Sequence, residues 1–261
     1  MAEKQRLDIL VYEQGLAPSR EKARAMIMAG EILVDQKRVD KPGTRVAVAA
    51  IITAKSKPRY VSRGGDKLAG ALDAFAIPIT GRVCADVGAS TGGFTDCLLQ
   101  HGAARVYALD VGYGQIHYKL RQDERVIVME RVNARYVNTL PEPISLAVID
   151  ASFISLKLLL PAVKKWLTPQ ADVIPLIKPQ FEAGKSDVGK GGVVKDPDIH
   201  ARVIAEILTF ATEAGFAIKG LTTSPLKGPA GNTEFLVWLA QGEDQPAPLD
   251  LDTLIRTTLH G

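Results

Sequence analysis

From residue 82 onward the chain alternates short apolar runs with helix-patterned segments, and that alternation leaves few architectures open. Runs of strand length occupy 82–87, 105–110, 126–130, 146–150, 173–177, 216–221 and 235–239. Helical patterns at 91–100, 156–166 and 196–214 separate most of them. The last is opened by Asp196 as N-cap with Pro197 at the first helical position. A further helix, ahead of the first run, carries Leu68, Ala71, Leu72 and Phe75 on one face. Such a series predicts an α/β fold with a doubly wound, mostly parallel sheet. The last two runs have no helix between them and are expected to form an antiparallel, hairpin-like edge.

Residues 1–60 follow another pattern. A helix is expected over 6–14, broken by Gly15. A second is capped by Ser19 and favoured by Glu21 at its positive end. Ala23, Met26 and Ile27 give it a buried stripe, and Gly30 can end it in the left-handed conformation. Arg20 and Arg24 lie one turn apart beside that stripe. A short hairpin over 31–39, turning at Gln36 and Lys37, and a strand over 44–53 complete the segment. The polar, basic stretch 55–62, with Pro58 in it, marks a boundary. The expected division is 1–58, 59–241, and a polar, weakly helical tail at 242–261.

Charge separates the two parts as well. Residues 1–60 hold twelve Lys and Arg against seven Asp and Glu, a balance of +5, so the rest of the chain carries −2. A basic head on a near-neutral body suggests a polyanion met through the head. Arg6, Arg20, Lys22 and Arg24, with Arg63 at the junction, are candidate phosphate partners that would position RNA without reading its sequence.

Other classes are disfavoured. Cys84 lies in an apolar run and Cys97 in a helical pattern, so both read as reduced thiols. The four histidines are scattered, and no structural metal is expected. There is no signal-like N-terminus and no apolar run of transmembrane length, which points to the cytoplasm.

The loop Asp86-Val-Gly88-Ala89-Ser90-Thr91-Gly92-Gly93-Phe94 joins the first strand of the body to its helix, where open α/β sheets bind ligands. A nucleoside triphosphate would want lysine where Phe94 stands. A dinucleotide would want glycine where Ser90 stands. S-adenosylmethionine needs no anion cradle, only room and a carboxylate near its sulfonium side, which Asp86 would supply. Asp110, 24 residues on and followed by Val111, can accept from ribose hydroxyls, and Asn133 after the third strand can meet the adenine.

Four charges stand near the same crevice. Asp150 and Lys178 follow two apolar strands, Lys67 lies on the helix before the first strand, and Glu234 opens the last one. A buried strand-end charge is costly unless paired. Singly, each such residue is more often a salt bridge than a catalyst; the set of four is more informative.

Here the sequence resembles known families. The run RLDILVYEQGLAPSREKARAMIMAGEILVDQKRV resembles the small S4-type RNA-binding domain. The segments ADVGASTGGFTDCLLQHGA, IDASFISL, LIKPQFEAGK and GNTEFLVWL resemble the FtsJ-like ribose 2′-O-methyltransferases, and the whole order resembles the TlyA-type rRNA methyltransferases, often labelled haemolysins. The resemblance implies a Rossmann-like, seven-stranded S-adenosylmethionine-dependent domain with an antiparallel last strand. It implies a catalytic set Lys67, Asp150, Lys178 and Glu234, and a cytidine ribose of ribosomal RNA, in a subunit or ribosome, as acceptor. Lys178 is then the candidate for steering and deprotonating the hydroxyl, and a monomer is expected. A membrane-active haemolysin would want a long apolar span or a strongly amphipathic helix. A non-catalytic ribosome-assembly factor would have no use for the loop and the four charges. A base methyltransferase would want a different acceptor motif from Asp150-Ala-Ser-Phe153.

Overall fold

The computed structural model describes residues 3–54, 58–242 and 250–260. The expected boundary and tail fall partly on 55–57 and 243–249, outside the described residues. The chain divides into two compact units, Met1–Pro58 and Arg59–Gly261.

In the first unit, β1 (Lys4–Arg6) leads into α1 (Leu7–Glu13) and α2 (Arg20–Met28). Ser19 caps α2 by accepting from the Lys22 amide, and Gly30 follows the helix at φ +70°. Leu7, Leu10, Val11, Ala23 and Ile27 pack with Ile32, Val34 and Ile52 into a small core. β2 (Ile32–Val34) and β3 (Lys37–Arg38) form the hairpin. Its turn falls at Asp35 and Gln36, both at positive φ as a tight two-residue turn demands, one residue earlier than the sequence suggests. Two further expectations are corrected. Arg6 ends a strand instead of opening the helix. The single strand over 44–53 is two, β4 (Arg45–Ala47) on β1 and β5 (Ile52–Ala54) on β2, because a turn at 48–50 redirects the chain.

The second unit is a seven-stranded sheet flanked by helices. Its elements are α3 (Gly64–Phe75), β6 (Val83–Val87), α4 (Gly93–Gln100), β7 (Arg105–Asp110), α5 (Tyr118–Arg121), β8 (Val126–Glu130), β9 (Ile144–Ile149), α6 (Leu156–Lys164), β10 (Leu167–Ile177), α7 (Pro179–Glu182), α8 (Pro197–Glu213), β11 (Ala217–Thr223), β12 (Phe235–Gln241) and α9 (Leu251–His260). The strand order is β11-β12-β10-β9-β6-β7-β8. All neighbours are parallel except β12, which runs antiparallel to both β10 and β11. The final strand is therefore slotted inside the sheet, and β11 forms the edge. β10 starts six residues earlier than its apolar run, with a register shift between Leu167 and Asp172.

Successive strand residues feed opposite cores, as expected for a sheet covered on both faces. Ala85, Val87, Ala147 and Ile149 pack on the side of α6 and α8 with Leu160, Ile207 and Phe216. Cys84, Leu146 and Val148 pack on the side of α3 and α4 with Leu68, Phe94 and Leu98. The weakly patterned end of the chain is a true helix, α9, held by buried Ile255 and by Thr258, whose carbonyl accepts from Thr223. Both cysteines are free and buried, and burial pushes their thiols up to about 12.

Candidate active site

The carboxyl ends of β6, β9 and β10 open into a cavity of about 900 Å³. At the end of β6, Gly88 sits at φ +86°, and a Cβ there would lie 2.9 Å from the Asp150 carbonyl oxygen. Glycine thus lets this loop press against the loop after β9. Gly88, Ala89, Ser90, Thr91, Gly93 and Phe94 all line the cavity.

The four charges meet there as two pairs. Lys178 Nζ is 2.6 Å from Asp150 Oδ1 and donates to Ser152 Oγ at 3.0 Å. Lys67 Nζ is 2.6 Å from Glu234 Oε2. Lys67, Lys178 and Glu234 are buried, Glu234 to 1% exposure. Charges so far from water persist only when paired and hydrogen-bonded. Gln180 joins the second pair by donating from Nε2 to Glu234 Oε1 at 3.2 Å. Glu182 ties the two strand-end loops together, accepting from Ser155 Oγ at 2.6 Å and from the Leu156 amide at 2.8 Å. Burial raises the Glu182 carboxyl above its ordinary range.

Other candidates lie elsewhere. Asp86 does not line the cavity. It is wholly buried and accepts from the Thr95 amide at 2.9 Å and Thr95 Oγ1 at 2.6 Å, so it caps α4. Burial pushes it up to about 7, against the pull of those two donors. Asp110 accepts from the amides of Ser90 at 2.7 Å and Gly112 at 2.6 Å. Asn133 accepts from the Arg135 amide at the start of a short 3-10 turn, and Val111 is exposed. Gly92, Asp110, Val111 and Asn133 are outside the cavity lining. Arg63 does line it, donating to the Lys227 carbonyl at 3.0 Å. In the first unit, Arg6 and Arg20 both pair with buried Asp8, at 2.9 and 3.1 Å, and hold its carboxyl below the usual range. Lys22 and Arg24 are exposed.

Sequence reasoning missed Ser152, Gln180, Phe153 and Phe181, although each lies within two or three residues of Asp150 or Lys178. Phe153 is 90% exposed at φ +63°, with its ring 4.9 Å from that of Phe181. An aromatic held in the left-handed region and turned to solvent at a cavity is a candidate ligand surface rather than a core residue. Among the described residues no group of three or more His, Cys, Asp or Glu could hold a metal ion, and no helix is long and apolar enough to cross a membrane.

Residues 60–241 match the family of FtsJ-like methyltransferases, and residues 5–52 match the S4 domain. The chain is 47% identical over 251 residues to the 16S/23S rRNA (cytidine-2′-O)-methyltransferase TlyA of Mycobacterium tuberculosis, covering 94% of this chain and 93% of that protein. It is 42% identical over 234 residues to Hemolysin A of Brachyspira hyodysenteriae, covering 88% of this chain and 98% of that one. A solved structure of a hemolysin-labelled protein from Streptococcus thermophilus superposes with a TM-score of 0.74 at 42% identity, over 99% of this chain and 96% of the other.

Proposed function

The chain belongs to the FtsJ-like methyltransferase family, and on that premise we propose that it methylates a ribose 2′-hydroxyl, that of a cytidine in ribosomal RNA. The observation that carries this reading is the meeting of Lys178–Asp150 and Lys67–Glu234, each at 2.6 Å, in one cavity beside the glycine loop.

The loop fits S-adenosylmethionine. It offers a tight glycine turn at Gly88, apolar walls at Ala89 and Phe94, and no lysine for a phosphate. At its root Asp86 Oδ1 is buried with no hydrogen-bond partner among the described residues. Residues 88–94 would hold the amino-acid end, and Asp110, Val111 and Asn133 the nucleoside end. When bound, the cofactor supplies an electrophilic methyl group.

The protein must align the hydroxyl and take its proton, and alignment alone contributes several kcal/mol to lowering such a barrier. Lys178 faces the cavity with its nitrogen fixed by Asp150 and Ser152. Lys178 in its neutral form would receive the hydroxyl proton as the ribose oxygen takes the methyl group. Lys67 and Glu234 line the same cavity as a second pair. Phe153 and Phe181 at the mouth give a splayed-out base an aromatic surface, as single-stranded RNA recognition requires. The S4 unit, with Lys22 and Arg24 exposed, brings ribosomal RNA to the enzyme in the cytoplasm.

The test is transfer of labelled methyl from S-adenosylmethionine to purified ribosomal subunits, wild type beside Lys178→Ala. Label in alkali-resistant RNA positions, lost in the variant while cofactor affinity persists, supports the reading. A fully active Lys178→Ala, or no transfer to either subunit, overturns it.

A further inference from the structure

We propose that Ser152 carries the proton from the ribose to Lys178: its hydroxyl accepts from the 2′-hydroxyl and donates to the lysine nitrogen. This rests on the function proposed above and adds a second catalytic side chain to it.

Lys178 Nζ has three oxygens around it: Asp150 Oδ1 at 2.6 Å, Ser152 Oγ at 3.0 Å and the Asp150 carbonyl oxygen at 3.3 Å. With Cε they make four neighbours, which is all that a tetrahedral nitrogen takes. Lys178 is 7% exposed. Ser152 beside it is exposed, lines the same cavity, and bonds only Lys178 among the described residues. A ribose hydroxyl therefore reaches the nitrogen either by displacing an oxygen or by working through one, and only the serine oxygen has a proton of its own to pass on.

Counting donors gives that hydroxyl its direction. An ammonium group has three N–H, one for each oxygen. The neutral amine that takes a proton has two N–H and one lone pair. The carboxylate and carbonyl oxygens of Asp150 can only accept, so they keep the two N–H groups. The lone pair is left to Ser152, whose hydroxyl turns to donate to it. Ser152 Oγ then offers its own lone pairs to the cavity, where a ribose hydroxyl can donate.

Transfer moves two protons and a methyl group. The ribose O–H breaks as its proton goes to Ser152 Oγ, and the Ser152 proton goes to Nζ. The 2′-oxygen bonds the methyl carbon as the carbon–sulfur bond breaks, leaving its electron pair on sulfur. The positive charge passes from the sulfonium to Lys178, beside Asp150. Lys178 then donates to Ser152, the hydrogen bond seen in the structure.

The experiment measures single-turnover methyl transfer from S-adenosylmethionine to purified ribosomal subunits, with enzyme in excess, in mixtures of H2O and D2O. The wild-type rate should fall along a bowed curve as the deuterium fraction rises, as two protons moving together require. Ser152→Ala should lose about 100-fold in rate, with a straightened curve and with S-adenosylmethionine Kd, subunit Kd and Tm unchanged. Ser152→Thr, which keeps a hydroxyl, should recover most of the rate and the bow. A straight wild-type line, or no isotope effect, overturns the relay. So does a Ser152→Ala enzyme with the wild-type rate. If neither variant folds, the wild-type curve decides: bowed upholds the relay, straight overturns it. Transfer lost in Lys178→Ala but unaltered in Ser152→Ala overturns the relay while leaving 2′-O-methylation in place. No transfer by wild type to any subunit overturns both.

Discussion

Glu234 is 1% exposed and 167 residues away in sequence from the ammonium group that neutralises it, so the Lys67–Glu234 pair must have a structural role beside any catalytic one. Removing one member of a buried pair costs about 3–5 kcal/mol, whereas replacing both by apolar groups is often near neutral. Lys67→Ala should therefore unfold at clearly lower urea, while Lys67→Met combined with Glu234→Leu should recover most of the stability and none of the methyl transfer. Recovery of activity in the double variant would remove the pair from the mechanism. Asp86 makes a different prediction. Its folded value, about 7, lies above the ordinary aspartate value of 3.8 because of burial. Its contribution to stability is then fully present below about pH 4 and is lost as pH rises through 7. Asp86→Asn should gain on wild type between pH 5 and pH 8, by on the order of 1–4 kcal/mol in urea denaturation of the cofactor-free protein. An unchanged difference across that range would sink the assignment. Asp86 also shows where sequence reading ends. A carboxylate at a strand end before a glycine loop was legible, but whether it turned to the ligand or to Thr95 was not, since that depends on the pitch of α4 against β6.

Elements were read more reliably than side-chain directions. The strands at 105–110 and 126–130 have the expected limits, and α8 begins after Asp196 with Pro197 at its first position. Period and capping are local properties and survive translation into structure. The insertion of β12 between β10 and β11 is not local, and nothing in its apolar run distinguishes an edge from an interior strand. The same insertion brings Glu234, just ahead of β12, onto Lys67 in α3. The turn before β12 is fitted to that contact: a Cβ at Gly228 would lie 2.5 Å from Glu234 Oε1. Gly228→Ala should push the carboxylate off its partners and cut kcat/KM by at least about tenfold, a displacement of the kind that small errors in positioning produce. Tm should fall as well, because Gly228 is buried and the displaced carboxylate is one half of a buried pair. A Gly228→Ala enzyme with wild-type kinetics would show that Glu234 tolerates movement and is not held for catalysis.

Across the whole molecule, positive charge is concentrated in residues 1–60 at +5 while the rest carries −2, yet not every cation of the head is free to meet RNA. Arg6 and Arg20 are bound to Asp8, which is 0% exposed. Removing either takes a partner from a buried carboxylate and weakens the S4 unit itself. Lys22 and Arg24 have no carboxylate within 4 Å among the described residues and stand on the exposed side of α2, so a phosphate can release its counterions there without breaking an internal pair. Each such contact on RNA contributes about 0.7–0.9 to the slope of log affinity against log salt. Lys22→Ala with Arg24→Ala should therefore flatten that slope by about 1.4–1.8 for ribosomal RNA. The loss should be equal for unrelated RNA sequences, since phosphate contacts carry no base information. Tm and S-adenosylmethionine affinity should stay at wild-type values. Arg20→Ala should show the converse, a lower Tm of the S4 unit with a smaller change in slope. A double variant whose salt slope matches wild type would place the polyanion contact on other residues, with Arg63 and Lys227 at the cavity the next pair to change.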